Sequence, residues 1–304
     1  MKKYHGLIIP LITPSDKNGN IDFTSLDKII KRCIKYNSEI LLLGTTGEAP
    51  SLNMKEKLDL IKYATSNYKS KTKIYVGIIE TSFKNAVEIA NSAFEIGVDA
   101  VFCTLPNYYP LTDQQILKYF TDFAKNVNGD VFIYNIPQTV HMSIPLDVIK
   151  KLTEIENIVG IKDSERDFER MEKLIEMCKS KPNFSYFIGW GAQCFNALQM
   201  GADGIVPSTG NISPKIYSDM IKHINEKNKK SASQLQLIAD EISQIYQKDK
   251  TLSESISALK IMMNELNLCD VYTFPPLTLL NEDVQNEIRR KTREIIQKYN
   301  LYED

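Results

Sequence analysis

Residues 100–137 read AVFCTLPNYYPLTDQQILKYFTDFAKNVNGDVFIYNIP. Two short apolar runs, "AVFCTLP" (100–106) and "DVFIYNIP" (130–137), enclose "QQILKYFTDFAKNV", whose apolar residues recur at helical spacing. Runs that are apolar on both faces suit parallel strands covered by helices. The stretch therefore reads as one strand–helix–strand unit, roughly thirty residues from strand start to strand start.

The unit recurs in both directions. Upstream lie "GLIIPLIT" (6–13), "EILLLG" (39–44) and "KIYVGII" (73–79); downstream lie "IVGIKDS" (158–164), "SYFIGW" (185–190) and "DGIVPS" (203–208). Amphipathic stretches such as "DKIIKRCIKY", "KNAVEIANSAFEIG" and "ERMEKLIEMCKS" fall between them. Eight such units predict an α/β fold, a (β/α)8 TIM barrel, over residues 1–228. The rival, an open doubly wound sheet, usually has fewer strands and a glycine-rich dinucleotide loop, and no GxGxxG follows the first strand. From residue 229 the pattern is purely helical, and residues 229–304 are expected to form a C-terminal helical extension packed on the barrel.

The net charge of −1 offers no basis for binding nucleic acid or an anionic membrane surface. The five cysteines are odd in number, widely spaced and free of CxxC, which argues against a disulfide framework or zinc site and for reduced thiols in a cytoplasm. The opening "MKKYHGLIIPLITP" looks superficially like a signal peptide, but Pro10 interrupts its apolar run and it reads as the first strand. No apolar run approaches the length of a membrane span.

Active sites of such barrels gather at the carboxyl ends of the strands. Those ends carry Gly44-Thr45-Thr46-Gly47, Asn107-Tyr108-Tyr109, Tyr134-Asn135, Lys162-Asp163, Gly189-Trp190 and Ser208-Thr209-Gly210. The set is rich in hydroxyls and poor in metal ligands, so neither a metal nor a cofactor is expected. Lys162 is the one lysine in it. Lysine is mostly exposed, and the bland alternative is a surface lysine paired with Asp163. A lysine entering a barrel mouth between Val159, Ile161 and the next loop is instead partly desolvated. Desolvation favours the neutral amine that attacks a carbonyl. Tyr134, at the end of the neighbouring strand, is placed to move protons, with Tyr108 and Tyr109 as possible extensions of a hydroxyl chain; each could equally be a packing or contact aromatic. "GTTGE" (44–48) can be a simple tight loop. It can also be an anion site, because backbone N–H groups in a glycine-flanked turn form a nest and the threonines add neutral donors. A carboxylate there, beside a carbonyl facing Lys162, describes a 2-oxo acid.

"GTTGE", "YNIP", "GIKDS" and "GADGIVPST" occur in the order and at about the spacing of the dihydrodipicolinate synthase/N-acetylneuraminate lyase family, which the chain resembles through the barrel and on to "FPPLT" (274–278). The resemblance implies a class I, pyruvate-dependent aldolase acting on pyruvate and an aldehyde. Lys162 would form the Schiff base and Tyr134 would relay protons. Thr45, Thr46 and Gly47 would hold the pyruvate carboxylate, with Thr46 joining the relay. Tyr108 would reach a neighbouring subunit's site in a homotetramer. Thr139, Gly189, Trp190, Val206 and Ser208 fall on the substrate-binding positions.

The chain departs from both main branches of that family. Synthases usually carry an arginine two residues after the proline of Tyr-Asn-x-Pro; here that position is Thr139. Lysine-inhibited synthases often have a histidine after Leu-Asn; here it is Met54. Sialic acid lyases carry acidic residues after the seventh-strand glycine; here stand Trp190, Gly191 and Ala192. "PNYYP" and Ser208 lean toward the lyases. The expected activity is cleavage or formation of a C–C bond between pyruvate and an aldehyde, from a 2-oxo-3-deoxy sugar acid or an N-acetylneuraminate-like substrate. Dihydrodipicolinate synthase and a non-catalytic 2-oxo acid binding barrel are the alternatives.

Overall fold

The computed structural model describes residues 2–303. Eight strands close into a parallel barrel in chain order: β1 (Gly6–Pro10), β2 (Glu39–Leu42), β3 (Ile74–Ile78), β4 (Ala100–Thr104), β5 (Val131–Asn135), β6 (Ile158–Asp163), β7 (Ser185–Ile188) and β8 (Gly204–Ile205). This is the expected (β/α)8 barrel. Every strand lies inside one of the apolar runs, but most runs extend beyond their strand at the carboxyl end. Leu43 and Leu105 show why: both are buried, yet neither belongs to a strand. An apolar run marks burial, and the loops at a barrel mouth are buried too.

Helices return each chain segment to the start of the next strand, and local chemistry fixes where they begin. Asn53 and Glu56 form a reciprocal capping box at the helix Met54–Tyr68, and Thr112 and Gln115 do the same at Asp113–Asn126.

The amino-terminal end of the barrel is filled by Tyr4, Tyr75, Phe102, Phe132 and Phe187, with Phe102 and Phe132 stacked at 4.4 Å. Gly160 makes room for them: a Cβ there would lie 2.4 Å from Phe132 Cε1. This plug leaves the carboxyl-terminal mouth as the open end.

Three long helices follow the barrel: Lys229–Gln247, Leu252–Glu265 and Glu282–Tyr299. Every residue from Ser255 to Met263 in the second of them is buried. A helix buried all round is a core element rather than a surface cover. The five cysteines are free and buried.

Candidate active site

The register of the barrel sets the site. Tyr134 pairs with Lys162 and Asn135 with Asp163 across β5 and β6. Because side chains alternate along a strand, the two pairs face opposite ways. Asn135 and Asp163 face the helix layer. Asn135 Nδ2 donates to Asp163 Oδ1 at 2.8 Å, and Arg170 Nε donates to Asp163 Oδ2 at 2.8 Å. Burial pushes the Asp163 carboxyl up, opposed by Arg170 and Asn135. Asp163 is therefore committed to Arg170, and the alternative of a lysine simply paired with its neighbour does not hold.

Tyr134 and Lys162 face the mouth. Lys162 is only 3% exposed, and its Nζ sits 3.9 Å from the centroid of the Tyr134 ring. The Tyr134 hydroxyl lies 3.2 Å from Thr45 Oγ1. Burial pushes this phenol up, but the Lys162 charge and hydrogen bonds with Thr45, Lys162 and Ser164 outweigh it, so its pKa falls below the ordinary value. A buried amine, a phenol inclined to ionise and a hydroxyl chain thus meet at one point.

Gly189 keeps that point open. A Cβ at this position would stand 2.1 Å from Ser164 Oγ and 3.2 Å from Lys162 Cε. Any larger residue would push on the lysine or on the serine that bonds Tyr134.

The "GTTGE" loop is held in a tense shape. Leu43 and Glu48 both adopt left-handed backbone angles, φ 54° and 56°. Such angles cost about 1–3 kcal/mol at a non-glycine residue and persist only where the surroundings impose them. Several contacts impose them here. Gly47 and Glu48 N–H turn back on Gly44 and Thr45 carbonyls, and Thr13 Oγ1 donates to Gly47 O at 2.7 Å. Beneath the loop, the fully buried Glu48 carboxylate meets Lys260 Nζ at 2.5 Å and accepts from Phe274 N–H at 2.8 Å. Burial pushes the Glu48 carboxyl up and the Lys260 amine down, each opposed by its partner's charge. Lys260 comes from the helix Leu252–Glu265, so the extension pins the loop that carries Thr45 and Thr46.

A cavity of about 590 Å³ opens above these groups. Of the residues singled out in the sequence, Thr45, Thr46, Tyr134, Lys162, Gly189, Trp190, Val206 and Ser208 line it. Three do not. Gly47 lies beneath the loop, and a Cβ there would be 3.0 Å from the Leu11 carbonyl. Thr139 donates its hydroxyl to Ile136 O within its own short helix, at 3.3 Å, and Gln138 faces the cavity instead. Tyr108 lies outside its own chain's cavity and is 74% exposed.

The far wall was not legible in the sequence. It is built by the extension: Asp240, Ser243, Gln244 and Tyr246 from one helix, Ser255 and Leu259 from the next. The Tyr246 hydroxyl lies 2.7 Å from Ser208 Oγ and 2.8 Å from Thr209 Oγ1, tying this wall to the end of β8. Arg166 also lines the cavity, and among the described residues its guanidinium has no ion-pair partner. A polar residue on one face of an amphipathic helix looks solvated in sequence, and only the tertiary fold turns that face toward a site.

The dihydrodipicolinate synthetase family model matches residues 3–295 of the chain. The chain belongs to the dihydrodipicolinate synthetase family. Members of this family are pyruvate-dependent lyases and aldolases that work through a lysine Schiff base, and the chain is an enzyme of that kind. It is 33% identical to a 4-hydroxy-tetrahydrodipicolinate synthase of Wigglesworthia glossinidia brevipalpis, over 76% of this chain and 78% of the relative. It is 31% identical to an uncharacterized DapA-like lyase of Pyrococcus abyssi, over 93% of this chain and 96% of the relative. Among solved structures it is similar to the dihydrodipicolinate synthase of Acinetobacter baumannii in complex with pyruvate. The TM-score is 0.88 at 28% identity, with 96% of this chain and 98% of that chain covered. Among the described residues no helix is long and apolar enough to cross a membrane.

Proposed function

We propose that the chain cleaves a 2-oxo-3-deoxy sugar acid into pyruvate and a hydroxylated aldehyde, with Lys162 as the Schiff-base lysine. The Lys162 amine attacks the C2 ketone of the substrate, whose carboxylate rests against Thr45 and Thr46. Loss of water gives an iminium. Tyr134 takes the proton from the C4 hydroxyl, the C3–C4 bond breaks, and its electrons flow into the iminium to give an enamine. The aldehyde leaves, C3 is protonated, and hydrolysis returns pyruvate and the free lysine. What supports this assignment is the meeting of Lys162, Tyr134 and Thr45: the Tyr134 hydroxyl lies 3.2 Å from Thr45 Oγ1, and Lys162 Nζ lies 3.9 Å from the Tyr134 ring centroid.

The choice of aldehyde rests on the upper cavity. A buried carboxylate on the acceptor calls for a guanidinium. Thr139 supplies none and spends its hydroxyl on Ile136 O, while Gln138, Ser208, Ser243 and Gln244 offer neutral polar groups. The second reading, 4-hydroxy-tetrahydrodipicolinate synthase, is favoured by the relatives that bear that name and by one feature of the site: Arg166 lines the cavity, where it can grip the carboxylate of aspartate semialdehyde. The test compares kcat/KM on one preparation. Pyruvate release is followed over a panel of 2-oxo-3-deoxy acids including N-acetylneuraminate, and condensation is followed with pyruvate and aspartate semialdehyde. Cleavage is expected to be the faster. Condensation near 10⁴ M⁻¹s⁻¹, about the low end for enzymes, with no cleavage of any sugar acid, would establish the synthase instead.

We also propose a homotetramer in which Tyr108 reaches a neighbouring subunit. The support is an exposed aromatic pair, Tyr108 and Tyr109, packed edge to face at 4.9 Å on the loop after β4. Light scattering on the purified protein tests this, and a monomer would rule it out.

A further inference from the structure

The far wall of the cavity holds a carboxylate without a cation. Asp240 lines the cavity from the helix Lys229–Gln247, and among the described residues neither a lysine nor an arginine pairs with it. Its one side-chain partner is Gln236, whose Nε2 donates to Asp240 Oδ1 at 2.8 Å. Gln236 is itself buried and fully engaged. The same Nε2 donates to Gly191 O at 3.0 Å, and its Oε1 accepts from Phe195 N–H at 2.9 Å. The amide thus fixes Asp240 against the loop that follows β7, beside Trp190. One carboxylate oxygen is held, and the other is left for whatever enters the cavity. Burial pushes the Asp240 carboxyl up, opposed only by Gln236.

We propose that Asp240 is a specificity-determining residue that accepts hydrogen bonds from hydroxyls of the aldehyde half of the substrate. The inference deepens the sugar-acid reading and rests on it. Among the charges on the cavity wall, which also include Lys248, Asp249 and Lys250, Arg166 and Asp240 form an unlike pair. Arg166 and Asp240 both line the cavity and do not bond each other. An acceptor carboxylate satisfies Arg166 but is repelled by Asp240. A hydroxyl can accept from a guanidinium and donate to a carboxylate. A neutral polyol chain is therefore the ligand that satisfies both, while an anionic tail satisfies one at the other's expense. A carboxylate left with a single amide partner in a half-buried wall is otherwise a cost without a return.

The test is Asp240→Asn, which keeps shape and leaves an acceptor for Gln236. Hydrogen bonds to charged groups are the stronger ones, so kcat/KM for the best sugar acid is expected to fall about 10- to 100-fold, chiefly through KM. KM for aspartate semialdehyde is expected to fall in the same variant. Asp240→Glu, which restores the charge, is expected to recover part of the sugar-acid KM. Melting curves and borohydride trapping of pyruvate on Lys162 verify that each variant is folded. If wild type cleaves the sugar acid and both variants keep its KM, the inference about Asp240 is wrong and the lyase reading stands. If wild type only condenses aspartate semialdehyde, both fall together.

Discussion

The contact that joins the helical extension to the loop 44–48 makes the deepest prediction. Lys260→Met keeps the length of the side chain and removes its charge. Glu48 then keeps only the Phe274 N–H at 2.8 Å, in a site where both side chains of the pair are 0% exposed. Breaking a buried ion pair by removing one partner costs about 3–5 kcal/mol. At about 2–4 °C per kcal/mol for a large domain, the midpoint should fall by roughly 6–20 °C. The penalty depends on pH, with a definite sign. Burial raises the Glu48 carboxyl in the folded protein, and loss of Lys260 raises it further. A carboxyl raised on folding contributes stability below its unfolded pKa and loses it as pH rises through the folded value. The variant should therefore be closest to wild type in mild acid and furthest from it at neutral pH. Adding Glu48→Gln should recover about 2 kcal/mol or more, since replacing both partners avoids an unpaired buried charge. Chemical denaturation of wild type, the two single variants and the double variant gives the coupling energy. A single Lys260→Met variant within about 1 kcal/mol of wild type, or a double variant no better than that single, would refute the reasoning. Because the loop carries Thr45 and Thr46, Lys260→Met should also weaken pyruvate trapping.

Three further outcomes follow from the site. Tyr134→Phe removes one oxygen and should lower kcat by about 10²–10⁴; a change of less than about threefold would mean the tyrosine only packs. Lys162→Met removes the cation that opposes burial, so the Tyr134 phenol should titrate higher than in wild type, as read from phenolate absorbance against a Tyr134→Phe blank; an unmoved midpoint contradicts the coupling. Gly189→Ala places a methyl 2.1 Å from the present Ser164 Oγ position and 3.2 Å from Lys162 Cε, and should cut kcat without unfolding the chain; wild-type turnover would show that the lysine does not need that space.

Much of this architecture could be read along the chain because parallel strands advertise themselves. "VFIYN" and "IVGIKD" are apolar on both faces, and their spacing leaves room for one helix between them. The position of Lys162 at a strand end was legible for the same reason. Its neighbour Tyr134, at the end of the adjacent strand, was legible too; the separation of Lys162 from Asp163 was not. Lys162 and Asp163 are adjacent in sequence, but strand alternation sends one to the mouth and the other to Arg170. Glu48 was visible only as the last letter of a loop motif, since its partner Lys260 lies more than two hundred residues away. Asp240 and Ser243 were hidden differently: they sit on the polar face of an amphipathic helix, a face that ordinarily meets water.

Lys162 as the Schiff-base lysine is tested most directly by trapping the adduct. The protein is incubated with pyruvate, reduced with borohydride, digested, and the adduct is located by mass spectrometry. One reduced pyruvate adduct per chain is expected, on the peptide containing Lys162, absent from Lys162→Ala and less abundant in Gly189→Ala. Labelling that persists in Lys162→Ala, or no adduct in a folded wild-type protein saturated with pyruvate, would contradict it.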